Sequence, residues 1–334
     1  MNLLRNIAFP LVPIYYLVTA LRNKLYDLGI KKSVSYNFPI ICVGNLSAGG
    51  TGKTPMVEYL INLLKDDYKI ATLSRGYKRK SSGFLLASEG VSVEMLGDEP
   101  FQFYNKFKDD ILVAVDADRN KGIRNLHSLL EKPEIILLDD AYQHRKVKAS
   151  FNILLTTYNK LYTDDFVLPT GNLREPKGGA KRANIIVVTK CPKDLSNDKK
   201  EAIIKRLQPE SSQNIFFSHI EYERDLIGIG EKINLEELKR FTLVTGIANP
   251  KPLVSFLQEK NLDFEHLNFK DHHTFSSSEI ADLSKKDIIV TTEKDFMRLM
   301  AYASLNGKLF YLPIKMHIDD SGNFDTLIKE ALKF

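Results

Sequence analysis

The chain has 334 residues, 43% of them hydrophobic, enough for more than one core at roughly 100 to 200 residues per domain. Its only cysteines, Cys42 and Cys191, exclude a disulfide framework and a structural zinc site and suit a reducing cytoplasm. A net charge of +5 favours acidic partners (phosphorylated lipid, nucleotide or nucleic acid), and the absence of solenoid repeats and long low-complexity runs excludes fibrous and repeat architectures.

The first segment, Ile7 to Ala20, is apolar, carries Tyr15 and Tyr16, and is flanked by Arg5, Arg22, Lys24, Lys31 and Lys32. A bilayer-spanning helix takes about 20 apolar residues, and Pro10 and Pro13 weaken this shorter run further. A secretory signal is not expected either, because Arg22 and Lys24 follow the run where small residues would mark cleavage. Two readings stay open: an interfacial segment drawn to anionic lipid, and a first helix packed on the protein's own core. Residues 1–36 are assigned to this membrane-associated segment.

Next comes IICVGNLSAGGTGKTPMVEYLINLL, Ile40 to Leu64, an apolar strand that runs through a glycine-rich loop into an amphipathic helix. Gly49, Gly50 and Gly52 let successive N–H groups turn inward around Thr51, and the helix opening near Thr54 adds the positive end of its dipole. In such a cradle Lys53 reaches the outer phosphates of a nucleoside triphosphate and the Thr54 hydroxyl ligates Mg2+. Ser47 stands where the usual pattern has its first glycine, followed by Ala48.

Buried strands are expected at Lys69 to Gly76, Asp110 to Asp118, Glu134 to His144, Phe151 to Thr157 and Asn184 to Pro192, each a nearly continuous block of β-branched and leucine residues. Helical patterns fit between them at Asp98 to Phe107 and Lys121 to Leu130. The alternation predicts an α/β fold, a P-loop NTPase-like parallel sheet with helices on both faces, over residues 37–222. From Glu221 to Ile233 the pattern weakens into a linker or small hairpin, and a second, smaller α/β lobe is expected over residues 223–334.

Polar motifs gather at the predicted strand ends. Asp139 and Asp140 end IILLDD and have the form of a metal-holding acidic pair beside a phosphate loop. Asp98 and Glu99, Asp116 and Asp118 with Arg119, Gln143 with His144, and Arg174 with Glu175 lie at other such ends. The second lobe adds His272 and His273 in DHHTF, and Lys294 and Asp295 in TTEKD. A histidine facing an interlobe cleft suits general acid/base work.

Taken in order, GNLSAGGTGKTP, SRGY, GDEP, DADR, LDDAYQH, LPTGNLREP, DHH and TTEKD resemble the boxes of the tetraacyldisaccharide 4'-kinase family over nearly the whole chain. Ser47 fits the family pattern, whereas Ala141 and Tyr142 depart mildly from its LDDGFQH box. The resemblance implies transfer of the ATP γ-phosphate to the 4'-hydroxyl of a tetraacylated glucosamine disaccharide 1-phosphate at the cytoplasmic face of the inner membrane, giving lipid IVA. It further implies Asp98 as the group that activates the hydroxyl, supported by His272, with Lys53 on the transferred phosphate. Thr54, Asp139, Asp140 and Glu175 fall to the Mg2+ shell, and Arg119, Gln143, His144 and Arg174 to phosphate and substrate. The expected partners are the lipid disaccharide and an anionic membrane surface, with no nucleic acid, for a peripheral monomer.

Two rival classes fail at named residues. An ATP-driven switch of the deviant-Walker type, acting at the membrane surface, needs a lysine at the start of the loop, where Ala48 stands. A GTPase needs Asn-Lys-x-Asp, whereas VVTKCP has Thr189 first and Pro192 at the aspartate position.

Overall fold

The computed structural model describes residues 9–333, so Arg5, Ile7 and Ala8 of the expected N-terminal segment lie outside the described residues. Helix α1 (Val12–Asp27) comes first, with Pro13 in its first turn, where a missing N–H breaks no helical bond. The chain continues through β1 (Ile40–Asn45), α2 (Lys53–Leu64), β2 (Ile70–Ser74), β3 (Leu85–Leu86), α3 (Val93–Leu96), α4 (Asp98–Phe107) and β4 (Ile111–Val115). Then follow α5 (Arg119–His127), β5 (Ile135–Asp139), β6 (Phe151–Thr157), β7 (Ile185–Thr189), α6 (Asn197–Leu207) and β8 (Asn214–Tyr222). A second run holds β9 (Asp225–Ile227), β10 (Lys232–Asn234), β11 (Phe241–Thr245), α7 (Lys251–Glu259), β12 (Phe264–Asn268), α8 (Ser277–Leu283), β13 (Ile289–Thr291) and α9 (Glu293–Leu299). It closes with β14 (Leu309–Tyr311), β15 (Ile314–Ile318) and α10 (Ser321–Glu330).

Nine strands form the larger sheet in the order β15-β8-β7-β6-β1-β5-β2-β4-β3. From β8 to β4 every pairing is parallel, and the antiparallel strands β15 and β3 close the two edges. Strands β1, β2, β5 and β7 are buried at every position, as a sheet covered on both faces requires. Along β1, Ile40 and Cys42 face one core while Ile41 and Val43 face the other, the period-two alternation of a strand. The smaller sheet has six strands in the order β10-β9-β14-β13-β11-β12. The charged stretch after Glu221 forms the antiparallel β9-β10 hairpin at its edge.

The tail departs from the expected lobe of residues 223–334. Strand β15 pairs with β8 in the larger sheet, and α10 buries Phe324 and Ile328 in the same core as Met56, Leu60 and Leu64 of α2. Pro313 lacks an N–H for continued pairing beside β14, and the apolar Met316 and Ile318 beyond it fill the open side of the P-loop helix. The smaller lobe is therefore inserted between β8 and β15.

Candidate active site

The phosphate loop leaves β1, which lies between β5 and β6 at the centre of the parallel sheet, where ligands of such sheets collect beyond the strand ends. Gly49 and Gly52 have φ of +120° and +88°, conformations that a side chain would strain. Ser47 instead forms an extended bridge with Leu173, a geometry that does not need glycine. The loop's carbonyls are held from outside: Lys190 Nζ donates to Gly50 O at 2.6 Å and Thr189 Oγ1 donates to Thr51 O at 2.8 Å. Asn45 Nδ2 donates to Thr51 Oγ1 at 2.7 Å, and the Ala48 N–H donates to Asn172 O at 2.7 Å. With those carbonyls turned outward, the N–H groups ahead of α2 are free to face an anion.

Asp139 ends β5 in register with Val43 and is 5% exposed. Its Oδ1 is buried without a hydrogen-bond partner. Burial pushes its carboxyl up to about 7, with Asp140 adding to the rise while Lys53 opposes it. Asp140 follows at φ +51°, with Lys53 Nζ at 3.7 Å and Arg174 Nη1 at 3.0 and 3.2 Å from its two oxygens. Burial acts to raise the Asp140 pKa, but Lys53 and Arg174 outweigh it and hold the carboxyl below the usual range. Among the described residues no three His, Cys, Asp or Glu side chains form a metal cage. The orphaned Asp139 oxygen, beside Asp140 and near the loop that carries Thr54, fits Mg2+, which takes one or two carboxylates and completes its shell with phosphate oxygens and water.

Glu175, expected in the metal shell, is 1% exposed and has both oxygens engaged. Oε1 accepts from Arg182 at 2.8 Å and Gln143 at 3.0 Å, and Oε2 accepts from Asn23 of α1 at 2.5 Å. Those donors satisfy the buried carboxylate and tie α1, through Asn23, to the site. Gln143 also donates to Asn45 O at 2.8 Å, and Arg174 Nη2 donates to Asn45 Oδ1 at 3.1 Å. Arg119 is 3% exposed, and its Nη1 donates to the carbonyls of Asp116 and Ala117 while Nε has no partner. His144 Nε2 is likewise buried and unpaired, and burial, reinforced by Arg119, lowers its pKa to about 4.

Asp98 opens α4 behind Gly97, whose φ of +93° and close approach to Tyr77 O, 2.9 Å from a hypothetical Cβ, demand glycine. Across the cleft, His272 in a left-handed turn at φ +58° brings Nδ1 to 2.9 Å from Asp98 Oδ2. Arg298 of α9 grips the same carboxylate, through Nε to Oδ1 at 3.2 Å and through Nη2 to Oδ2. Burial works to raise the Asp98 pKa, but the Arg298 hydrogen bonds and charge, joined by Lys294 and His272, carry it below the ordinary carboxylate range. Lys294 Nζ lies 3.0 Å from Glu99 Oε1 and 3.2 Å from His272 Nε2. Asp295, fully buried, accepts from the Gly246 N–H at 2.8 Å and from Arg298 Nη1 at 3.2 Å. Arg298 is absent from the residues the sequence singles out; its only signal is its place four residues after Lys294, on the same helix face.

A second polar joint crosses the cleft nearby. Lys106 of α4 lies 2.8 Å from Glu58 of α2 and 3.2 Å from Glu293 of α9. Gln102 also donates to Glu58 at 2.8 Å. Burial, with Glu58 adding, raises the Glu293 carboxyl to about 7.

Helix α1 has two unlike sides. One side is tied down: Tyr15 donates to Arg174 O at 2.9 Å, Arg22 to Gln143 O at 2.7 Å, and Arg145 pairs with Asp27 at 2.7 Å. The other carries Ile14, Leu17, Val18 and Leu21, each 60–65% exposed at the spacing of a single helical stripe. No helix among the described residues is long and apolar enough to cross a membrane.

Residues 4–333 match the family model described as tetraacyldisaccharide-1-P 4'-kinase. The chain is 55% identical over 339 aligned residues to the tetraacyldisaccharide 4'-kinase of Flavobacterium johnsoniae, covering 100% of this chain and 98% of that one. It is 52% identical to the enzyme of the same name from Flavobacterium psychrophilum, over 98% and 97% of the two chains. Among solved structures it resembles the "apo" form of LpxK from Aquifex aeolicus in complex with ATP, at a TM-score of 0.79 and 31% identity, covering 99% of this chain and all of that one. The phosphate cradle, the acidic strand end and the full-length relatives favour the kinase over the ATPase switch, and the chain belongs to the tetraacyldisaccharide-1-P 4'-kinase family.

Proposed function

We propose that the protein transfers the γ-phosphate of ATP to the 4'-hydroxyl of a tetraacyldisaccharide 1-phosphate and forms lipid IVA, with the chemistry in the cleft between the P-loop and α9. The observation that carries this reading is the Asp98–His272 contact at 2.9 Å, which joins two lobes above a loop built for phosphate. The loop amides, Lys53 and Arg174 hold the phosphates, and Arg119, Gln143 and His144 serve phosphate and substrate. Thr54, Asp139 and Asp140, with Glu175 beside them, would hold Mg2+, which would supply neutralisation of phosphate charge. The sugar oxygen attacks the γ-phosphorus as the bond to the bridging oxygen breaks, ADP leaves, and the hydroxyl proton passes to Asp98. In a loose transition state little negative charge need develop on the attacking oxygen before phosphorus–oxygen bonding begins, so a carboxylate of depressed pKa is an adequate acceptor.

We further propose that residues 223–313 form the lobe that closes on substrate. The exposed stripe of α1, on the side opposite its contacts to Arg174 and Gln143, supports peripheral docking at a lipid surface, on the cytoplasmic face of the inner membrane. The test is transfer of labelled γ-phosphate from ATP to tetraacyldisaccharide 1-phosphate in mixed micelles, with GTP and acceptor-free controls. Nucleotide hydrolysis without transfer would favour the switch.

A further inference from the structure

We propose that Lys294 is a positioning residue for the reaction: its ammonium fixes His272 in the tautomer whose Nδ1–H donates to Asp98. The inference rests on the reading of Asp98 as the proton acceptor. Lys294 Nζ lies 3.2 Å from His272 Nε2, and an ammonium has donors and no lone pair. Asp271 Oδ1, the other group facing Nε2, is 4.0 Å away and beyond hydrogen-bond reach, so Nε2 accepts from Lys294 and the ring proton stays on Nδ1, 2.9 Å from Asp98 Oδ2. The opposite tautomer would set an N–H against the Lys294 N–H groups at one end of the ring and a lone pair against the Asp98 carboxylate at the other. Arg298 Nη2, also donor-only, is 3.0 Å from Nδ1, but its shorter hydrogen bond goes to Asp98 Oδ2, so that oxygen rather than Nδ1 is its acceptor. Lys294 is itself oriented by Glu99 at 3.0 Å, so the residues beside Asp98 and the helix beside Arg298 act on one imidazole from both of its nitrogens. A ring held this way keeps Asp98 Oδ2 occupied, so the hydroxyl proton falls to the remaining lone pair of Oδ1, whose only other contact among the described residues is Arg298 Nε at 3.2 Å.

The full-length protein labelled with 15N-histidine, with the His272 signals assigned from His272→Gln, reads the tautomer directly from the nitrogen shifts. Wild type is expected to show a protonated Nδ1 and an accepting Nε2. In Lys294→Met the ring should move towards the other tautomer, kcat should fall about 10- to 100-fold, and KM for ATP should stay within about twofold. Lys294→Arg, which keeps a donor, should recover the wild-type nitrogen signature and more of kcat. A protonated Nε2 in wild type, or unchanged shifts or kcat in Lys294→Met, overturns the proposal. Undiminished kcat in Asp98→Asn would instead overturn the acceptor reading beneath it.

Discussion

Asp98 and His272 lie 174 positions apart in the chain, one at the start of a helix on the larger sheet and the other in a left-handed turn of the inserted lobe, yet their side chains meet at 2.9 Å. Asp98→Asn and His272→Ala should each lower kcat by about 10²- to 10⁴-fold with ATP affinity nearly unchanged. Because the two act as a unit, the double variant should lose less than the product of the single losses. Steady-state kinetics with separate nucleotide titrations checks this, and fully multiplicative losses would separate their roles.

Lys53→Ala and Thr54→Ala should leave the fold intact and cut turnover by about 10²-fold or more, since both act where transition-state charge builds. Circular dichroism alongside phosphoryl transfer distinguishes this from unfolding. A folded Lys53→Ala protein with normal kinetics would remove the phosphate-loop assignment.

Asp139 makes ligand-free stability depend on pH. Its folded pKa, about 7, lies above the ordinary carboxyl value of 3.8, so the folded state holds the proton more tightly and the stability contribution is lost as pH rises from about 4 through 7. At about 1.4 kcal/mol per unit, Asp139→Asn should be more stable than wild type at pH 8 by at most about 4 kcal/mol, and the gap should close towards pH 4. Denaturant unfolding across that range tests the sign; Mg-ATP should stabilise wild type more than the variant.

Lys106→Met should leave Glu58 and Glu293 facing each other without their shared cation, at a cost of about 3–5 kcal/mol. The loss should be smaller at pH 6 than at pH 8, because Glu293, raised to about 7, takes up a proton below that value and relieves the repulsion. Thermal unfolding at the two pH values is the measurement, and equal losses would mean the carboxylates do not interact.

The double substitution Leu17→Glu and Leu21→Glu should weaken sedimentation with anionic vesicles and raise KM for lipid more than KM for ATP. Both side chains are at least 60% exposed, so folding should survive. Unchanged vesicle binding would assign the stripe to another partner.

The phosphate loop was legible because its requirements are local: glycines at Gly49 and Gly52 for positive φ, Lys53 and Thr54 at a helix start, and a strand before them. The Asp98 helix was equally plain, its sequence boundaries at Asp98 and Phe107 coinciding with those of α4. What escaped depends on lobes or segments meeting in space. Arg298 reads as an ordinary helical arginine until its partner arrives from the other lobe, and nothing near Glu175 in the sequence announces that Asn23 of α1 will donate to its second oxygen. Thr189 and Lys190 bear on a guanine motif in the sequence, whereas in space their side chains brace the loop carbonyls. Strand β15 joins the larger sheet although the short alternating run after Pro313 carries no mark of which sheet it will enter.

That final strand also governs how the protein can be made. The core around α2 lacks Met316, Phe324 and Ile328 until the last segment of the chain has been synthesised, whereas the inserted lobe has all its strands beforehand. During vector synthesis the inserted lobe can fold first, while the nucleotide half waits with an open sheet edge beside β8 and an uncovered P-loop helix. A premature stop that removed only β15 and α10 would spare every residue assigned to phosphate, metal or hydroxyl, yet leave a nascent chain with exposed β8 backbone and apolar surface, the kind of species that chaperones hold and proteases clear.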